Sequence, residues 1–198
     1  MKYFACLALL AVAAFGLPAT VRYRVEAPIF FDSTDRLFSV PKFNPALGTL
    51  TSVNIRVFGR VSGTQFRENL NVGARLYRGY SRLTCAVEVK LGSDSLLYSA
   101  QTGAPNFITF GSFDGTADFI GSSGWAWNVY GTSTANVTLT SSTMLSNFTG
   151  AGAADLNVLG SYSFGWTWFG ASAPIVPASR LGADGTQSIV VSYNYIPV

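Results

Sequence analysis

PKFNPALGTLTSV, residues Pro41–Val53, joins a rigid corner to the start of an alternating strand. The prolines fix φ and remove backbone donors, and Gly48 opens conformations closed to other residues. The segment therefore reads as an ordered elbow that feeds a β-sheet. The run it feeds, Thr51–Val61, is the clearest amphipathic strand of the chain. Val53, Ile55, Val57 and Val61 share one face, and Asn54, Arg56, Phe58 and Arg60 the other.

The same period-two pattern recurs on both sides. Val21–Val25 is a first strand, and Arg36–Val40 leads into the elbow. Asn69–Tyr77 and Arg82–Lys90 alternate in the same way. Further on, Phe107–Phe113, Gly115–Ile120, Trp125–Tyr130 and Ala135–Thr140 read as short strands between Gly/Ser turns. Thr143–Phe148 is the least strand-like stretch and predicts a short helical or irregular turn. Leu156–Phe169 is a long strand or a bent pair, with Leu156, Val158, Tyr162, Phe164, Trp166 and Trp168 on one face. Ala171–Arg180, which holds Pro174 and Pro177, reads as a loop. Gln187–Ile196 closes the chain with Ile189, Val191, Tyr193 and Tyr195 on one face. About nine or ten strands and no long helix predict one all-β domain, a single antiparallel β-sandwich of jelly-roll-like type.

The first nineteen residues read as a secretory leader. Lys2 supplies a short positive region, Phe4–Phe15 is apolar throughout, and Leu17-Pro18-Ala19 offers cleavage after Ala19, with Gly16 as the alternative. The apolar run is too short to span a bilayer. The expected division is a signal peptide over 1–19 and one sandwich domain over 20–198, with no membrane span after cleavage. Removal of the leader leaves Cys85 as the only cysteine, so an intramolecular disulfide is excluded. Cys85 alternates with Leu83, Val87 and Val89, which puts it on the inward face of its strand.

The chain has no histidine. That excludes Ser-His-Asp and Cys-His nucleophiles and histidine-bound zinc, and one cysteine cannot build a thiolate metal site. The glutamates fall in no paired motif of the kind a glycosidase needs. Asp114 and Asp118 flank a Gly-Thr turn, but no EF-hand-like ligand series surrounds them, so they read as turn aspartates. No catalytic residue, cofactor or metal is expected, and the protein reads as non-enzymatic.

Two sets of residues are candidates for binding. Trp125 with Trp127, and Trp166 with Trp168, are two apart, so each pair shares a strand face. Turned inward they fill the core; turned outward they form a stacking surface for glycan rings. The outward arginines, Arg56, Arg60 and Arg75, are expected to belong to one basic sheet face, suited to acidic polysaccharide, anionic headgroups or an acidic surface of a second copy. From Val21 to Lys90 eleven Lys/Arg face five Asp/Glu, whereas from Leu91 to Val198 only Arg180 faces five Asp. A basic half and an acidic half suggest self-association through unlike surfaces, and Val21–Val25 is suited to extend a neighbour's sheet. No nucleic-acid-binding module accompanies the charge.

Four stretches resemble the choice-of-anchor E domain, a family of exported bacterial proteins. They are PKFNPALGTLTSVNI at Pro41–Ile55, FITFGSFDGTADFIGSSG at Phe107–Gly124, LSNFTGAGAADLNV at Leu145–Val158 and SIVVSYNYIP at Ser188–Pro197. Asn44 stands where the family commonly has Asp. The resemblance implies export and a cell-surface or extracellular matrix setting, and it carries no catalytic residues. Family members continue into a C-terminal anchor, and this chain stops where the anchor would begin. The reading that results is a secreted structural or matrix protein that self-associates, with a carbohydrate-binding or adhesive module as the alternative.

Overall fold

The computed structural model describes residues 17–29, 34–72, 77–169 and 177–198. Most of the expected leader, and Arg75, lie outside the described residues. Among the described residues nine strands follow in order: β1 (Ala19–Ile29), β2 (Thr34–Pro41), β3 (Gly48–Asn69), β4 (Tyr77–Leu91), β5 (Asp94–Thr102), β6 (Asn106–Phe110), β7 (Gly124–Leu139), β8 (Ala153–Phe169) and β9 (Pro177–Pro197). They form two antiparallel sheets. Sheet A runs β1-β9-β3-β7, and sheet B runs β2-β8-β4-β5 with β6 also paired to β4. Each strand of the first half pairs with a late one: β1 with β9, β2 with β8, β3 with β7. The added pairs β3–β9 and β4–β8 complete the wrapped order of a jelly roll. The all-β sandwich expected from the alternation is therefore the observed architecture.

The elbow is held by local and distant bonds. The Asn44 carboxamide oxygen accepts from the Ala46 N–H (3.0 Å) and starts a single 3-10 turn, Pro45–Leu47. The Lys42 and Phe43 N–H groups donate to Gly152 O (3.0 Å) and Phe148 O (2.7 Å), and Gly150 N–H returns to Phe43 O (3.0 Å). Phe43 and Phe148 are buried beside Tyr193, whose hydroxyl donates to Pro41 O (2.8 Å). Three of the four stretches set apart in the sequence thus meet at one end of the sandwich. The short helix there, α1 (Ser142–Asn147), is capped by the Ser141 hydroxyl, as the break in alternation at Thr143–Phe148 led us to expect.

Several strand boundaries differ from the pattern. Asn69–Tyr77 is not one strand, because β3 ends at Asn69. The Asn69 carboxamide accepts from the Asn71 N–H (3.1 Å) and donates to Gly111 O (2.7 Å), which turns the chain out of the sheet. Gly115–Ile120 is irregular. Asp114 and Asp118 accept from the N–H groups of Thr116 (3.1 Å) and Ile120 (3.0 Å), and these side-chain turns replace strand pairing. Trp125–Tyr130 and Ala135–Thr140 fuse into β7, because Gly131 marks close approach to Leu83 and Val61 rather than a turn. The expected loop Ala171–Arg180 already enters β9 at Pro177. Strand β5 escaped the sequence pattern because a register shift at Val89/Lys90 breaks the alternation against its partner.

Cys85 is fully buried on β4, and a side chain at Gly59 on the facing β3 would lie 2.8 Å from its Sγ. Burial raises the thiol pKa from 9.0 to about 11. Its contribution to stability is complete below the unfolded pKa and is lost as pH rises through about 11. At pH 8 the raised pKa alone lowers the thiolate fraction roughly 100-fold. A thiol-disulfide probe at that pH is expected to label Cys85 slowly in the folded protein and promptly in denaturant. Equal rates in both states would show that the site is open.

Candidate functional site

The outward arginines of the sequence separate in space. Strand β3 belongs to sheet A and β4 to sheet B, so Arg56 and Arg60 lie on the opposite face of the sandwich from Arg82 and Lys90. The expectation of one basic face across Thr51–Lys90 is corrected accordingly, because β3 and β4, though consecutive in the chain, belong to different sheets. The sequence halves interleave as well. Each sheet alternates early and late strands, so the basic and acidic blocks are not two spatial halves.

Arg56 and Arg60 gain different neighbours instead. Across the register Arg24 pairs with Val190, and Val190 with Arg56. Two strand spacings put these arginine backbones about 10 Å apart on one row. With Arg22 and Arg60 they make four exposed arginines on the outer face of sheet A, among Thr, Ser and Asn side chains of β7 and β9. Among the described strand residues, the exposed acids on this face are Asp184, on β9 opposite Ser62, and Glu26, which pairs with Arg24 at 2.5 Å. An open depression of about 540 Å³ lies among Arg24, Glu26, Phe58, Arg60, Thr134 and Thr186. The Arg56 guanidinium carbon sits 4.4 Å from the Phe58 ring centroid, which holds the arginine over Phe58 beside the depression.

The tryptophans lie elsewhere. Trp127 on β7 and Trp166 on β8 face each other between the sheets, with ring centroids 5.9 Å apart. Trp127 Nε1 donates to the Ser81 hydroxyl (3.1 Å), and Phe110 packs edge-on against Trp166. Trp125, nearer the rim, is 46% exposed. The side chain of Trp168 lies outside the described residues. The two pairs are thus not one outer platform: Trp127 and Trp166 are partly buried, and Trp125 keeps about half its surface in solvent.

Beside the tryptophans stands a group that sequence reading passed over. Continuing the inward series Val57, Gly59, Val61 along β3 brings Gln65 and Arg67 to the core face, and that parity was available in the sequence. The Arg67 guanidinium carbon lies 5.0 Å from the Trp166 ring and 5.4 Å from Phe164. With its oxygen turned to the guanidinium, the buried Gln65 amide accepts from Arg67 Nε (2.9 Å) and Nη2 (3.1 Å). Desolvation lowers the Arg67 pKa. Strand β3 therefore carries Arg56 and Arg60 on the outside and Arg67 on the inside, two basic features separated by parity.

Among the described residues no group of three or more acidic or cysteine side chains gathers for a metal ion. No described helix is long and apolar enough to cross a membrane.

No family model matches the sequence, and no curated protein matches it. Among solved structures the chain is weakly similar to infectious bursal disease virus proteins. A structure of the Gx strain aligns over 98% of this chain and 48% of its own, at 13% identity and a TM-score of 0.14. A mutant VP2 protein of the same virus aligns over 96% and 43%, at 15% identity and 0.14. The T13 viral particle aligns over 89% and 40%, at 15% identity and 0.15. The chain spans less than half the length of each of these structures. TM-scores of this size carry no assignment.

Proposed function

We propose that this protein is a secreted, non-enzymatic structural module of the cell surface or extracellular matrix, and that the outer face of sheet A holds acidic polysaccharide. The observation that carries the reading is the set of Arg22, Arg24, Arg56 and Arg60, exposed on one face, with Arg24 and Arg60 lining an open depression in it. Guanidinium groups match carboxylate and sulfate geometry, and the neighbouring hydroxyls and amides offer hydrogen bonds to sugar. The apolar leader after Lys2 and the likeness of Pro41–Ile55 to exported surface domains support the setting outside the cell.

Polygalacturonate and a neutral glucan of equal length, titrated in parallel by calorimetry, test the site. Binding of the polyanion is expected, weakening as salt rises. Each exposed arginine–anion contact contributes about 0.5–1 kcal/mol, so the R56A/R60A double variant should bind roughly tenfold more weakly. Undiminished binding by that variant would reject the face. Binding of the neutral glucan, lost in Trp125→Ala, would favour the sugar-stacking alternative instead.

A further inference from the structure

We infer that the protein forms a two-fold dimer in which β1 pairs antiparallel with β1 of a second copy, centred on Val25. Strand β1 is the edge of sheet A. One side pairs with β9 over its whole length, Ala19–Ile29, and no described residue of the chain pairs with the other. An open edge of this length is a template for another strand. At the other edge of sheet A, the Ser133 hydroxyl of β7 ties the strand to the facing sheet by donating to Ser99 O on β5 (3.0 Å).

Proline is tolerated in a strand with its nitrogen turned away from the neighbour. Pro28 therefore marks the open side, and Arg22, Arg24 and Glu26 share its parity. The N–H and C=O groups of Arg22, Arg24 and Glu26 are those offered to a new strand, whereas Pro28 offers only its carbonyl.

Charge selects both the partner and the register. In an antiparallel pair, opposed residues must point to the same face. Centring on Val25 sets Arg24 against the partner's Glu26 and Glu26 against the partner's Arg24. Centring on Arg24 or Glu26 opposes like charges at the axis, and centring on Tyr23 sets Arg22 against the partner's Arg24. Only the Val25 register makes two opposite-charge pairs without opposing any like charges, and it places Val25 beside the partner's Val25 on the inner face. A surface that complements itself in one register fits a second copy of the same chain. The dimer would also run the two outer faces into one eight-stranded surface bearing both sets of arginines. It stands on the edge alone, whatever that face binds.

Sedimentation of the purified protein, without polysaccharide, tests the inference separately from the polyanion reading. A concentration-dependent dimer is expected. R24E and E26R should each raise its dissociation constant roughly tenfold or more, because each opposes like charges twice. Mixing the two variants, or making both changes in one chain, should restore it. Val25→Cys should cross-link with itself under oxidation while buried Cys85 stays free. A monomer at about 0.5 mM would overturn the inference. So would a dimer indifferent to both charge reversals, which would place the contact on another surface.

Discussion

Gly48→Ala is expected to lower folding stability by about 2–6 kcal/mol. Gly48 lies at φ +142, ψ −158, a region essentially restricted to glycine, which costs another residue about 1–3 kcal/mol. Its missing side chain also leaves room for the last strand. A Cβ there would lie 2.8 Å from the Ile196 carbonyl carbon and closer still to its oxygen, and backbone paired in a sheet cannot yield as a rotamer can. Overpacking adds about 1–3 kcal/mol. The register Gly48↔Pro197 opens the longest pairing of the molecule, between β3 and β9, so the damage falls where the elbow enters the sheet. Urea unfolding measures the loss. Gly165→Ala is the control, since a Cβ there meets nothing within 4 Å, and it should move stability by no more than about 0.5 kcal/mol. Equal midpoints for the two variants would contradict this account of the elbow.

Glu68→Ala should cost about 3–6 kcal/mol and loosen the segment before β7. Glu68 is 1% exposed at the end of β3. One carboxylate oxygen accepts from the Ser123 hydroxyl at 2.7 Å, and the other accepts from the Phe119 N–H. Hydrogen bonds to a charged group contribute about 1.5–3 kcal/mol each, and truncation leaves both donors without their acceptor. The carboxylate also holds Phe119 at φ 65, a conformation that costs a residue other than glycine. Neighbouring bonds, from Asn69 N to Ser123 O (2.9 Å) and from Phe113 N to Asn71 O (3.1 Å), depend on the same placement. Hydrogen exchange should show the Phe119 amide losing protection in Glu68→Ala and much less in Glu68→Gln, which keeps one acceptor. Unchanged protection at Phe119 in Glu68→Ala would mean that the carboxylate does not hold the segment.

Glu68 also shows where sequence reading stops. A glutamate after an alternating run looks like a solvated strand end, and nothing local says that Ser123, 55 residues later, will close over it. Gln65 and Arg67 were closer to legible. The parity of Val57 and Val61 carries them inward, yet only the facing aromatics of β8 explain why a guanidinium stays there. Strands such as β3, β4 and β9 were plain because one face of each is apolar and period two is a local property. Strand β5 was not, because its bulged register and exposed positions blur the period.

By itself the sequence determined the all-β class, the inward face of the main strands, the buried place of Cys85 and the elbow at Pro41–Val53. Each follows from backbone stereochemistry or from side-chain alternation within a few residues. Tertiary structure decided which strands became neighbours, and with that which charges share a surface. Arg56 and Arg60 joined Arg22 and Arg24 across β9 rather than Arg82 on the next strand, and the two halves of opposite charge became interleaved. Strand order depends on distant pairings, which in β1–β9, β2–β8 and β3–β9 join residues more than a hundred positions apart. No local pattern encodes that choice; it is made when two apolar faces bury each other.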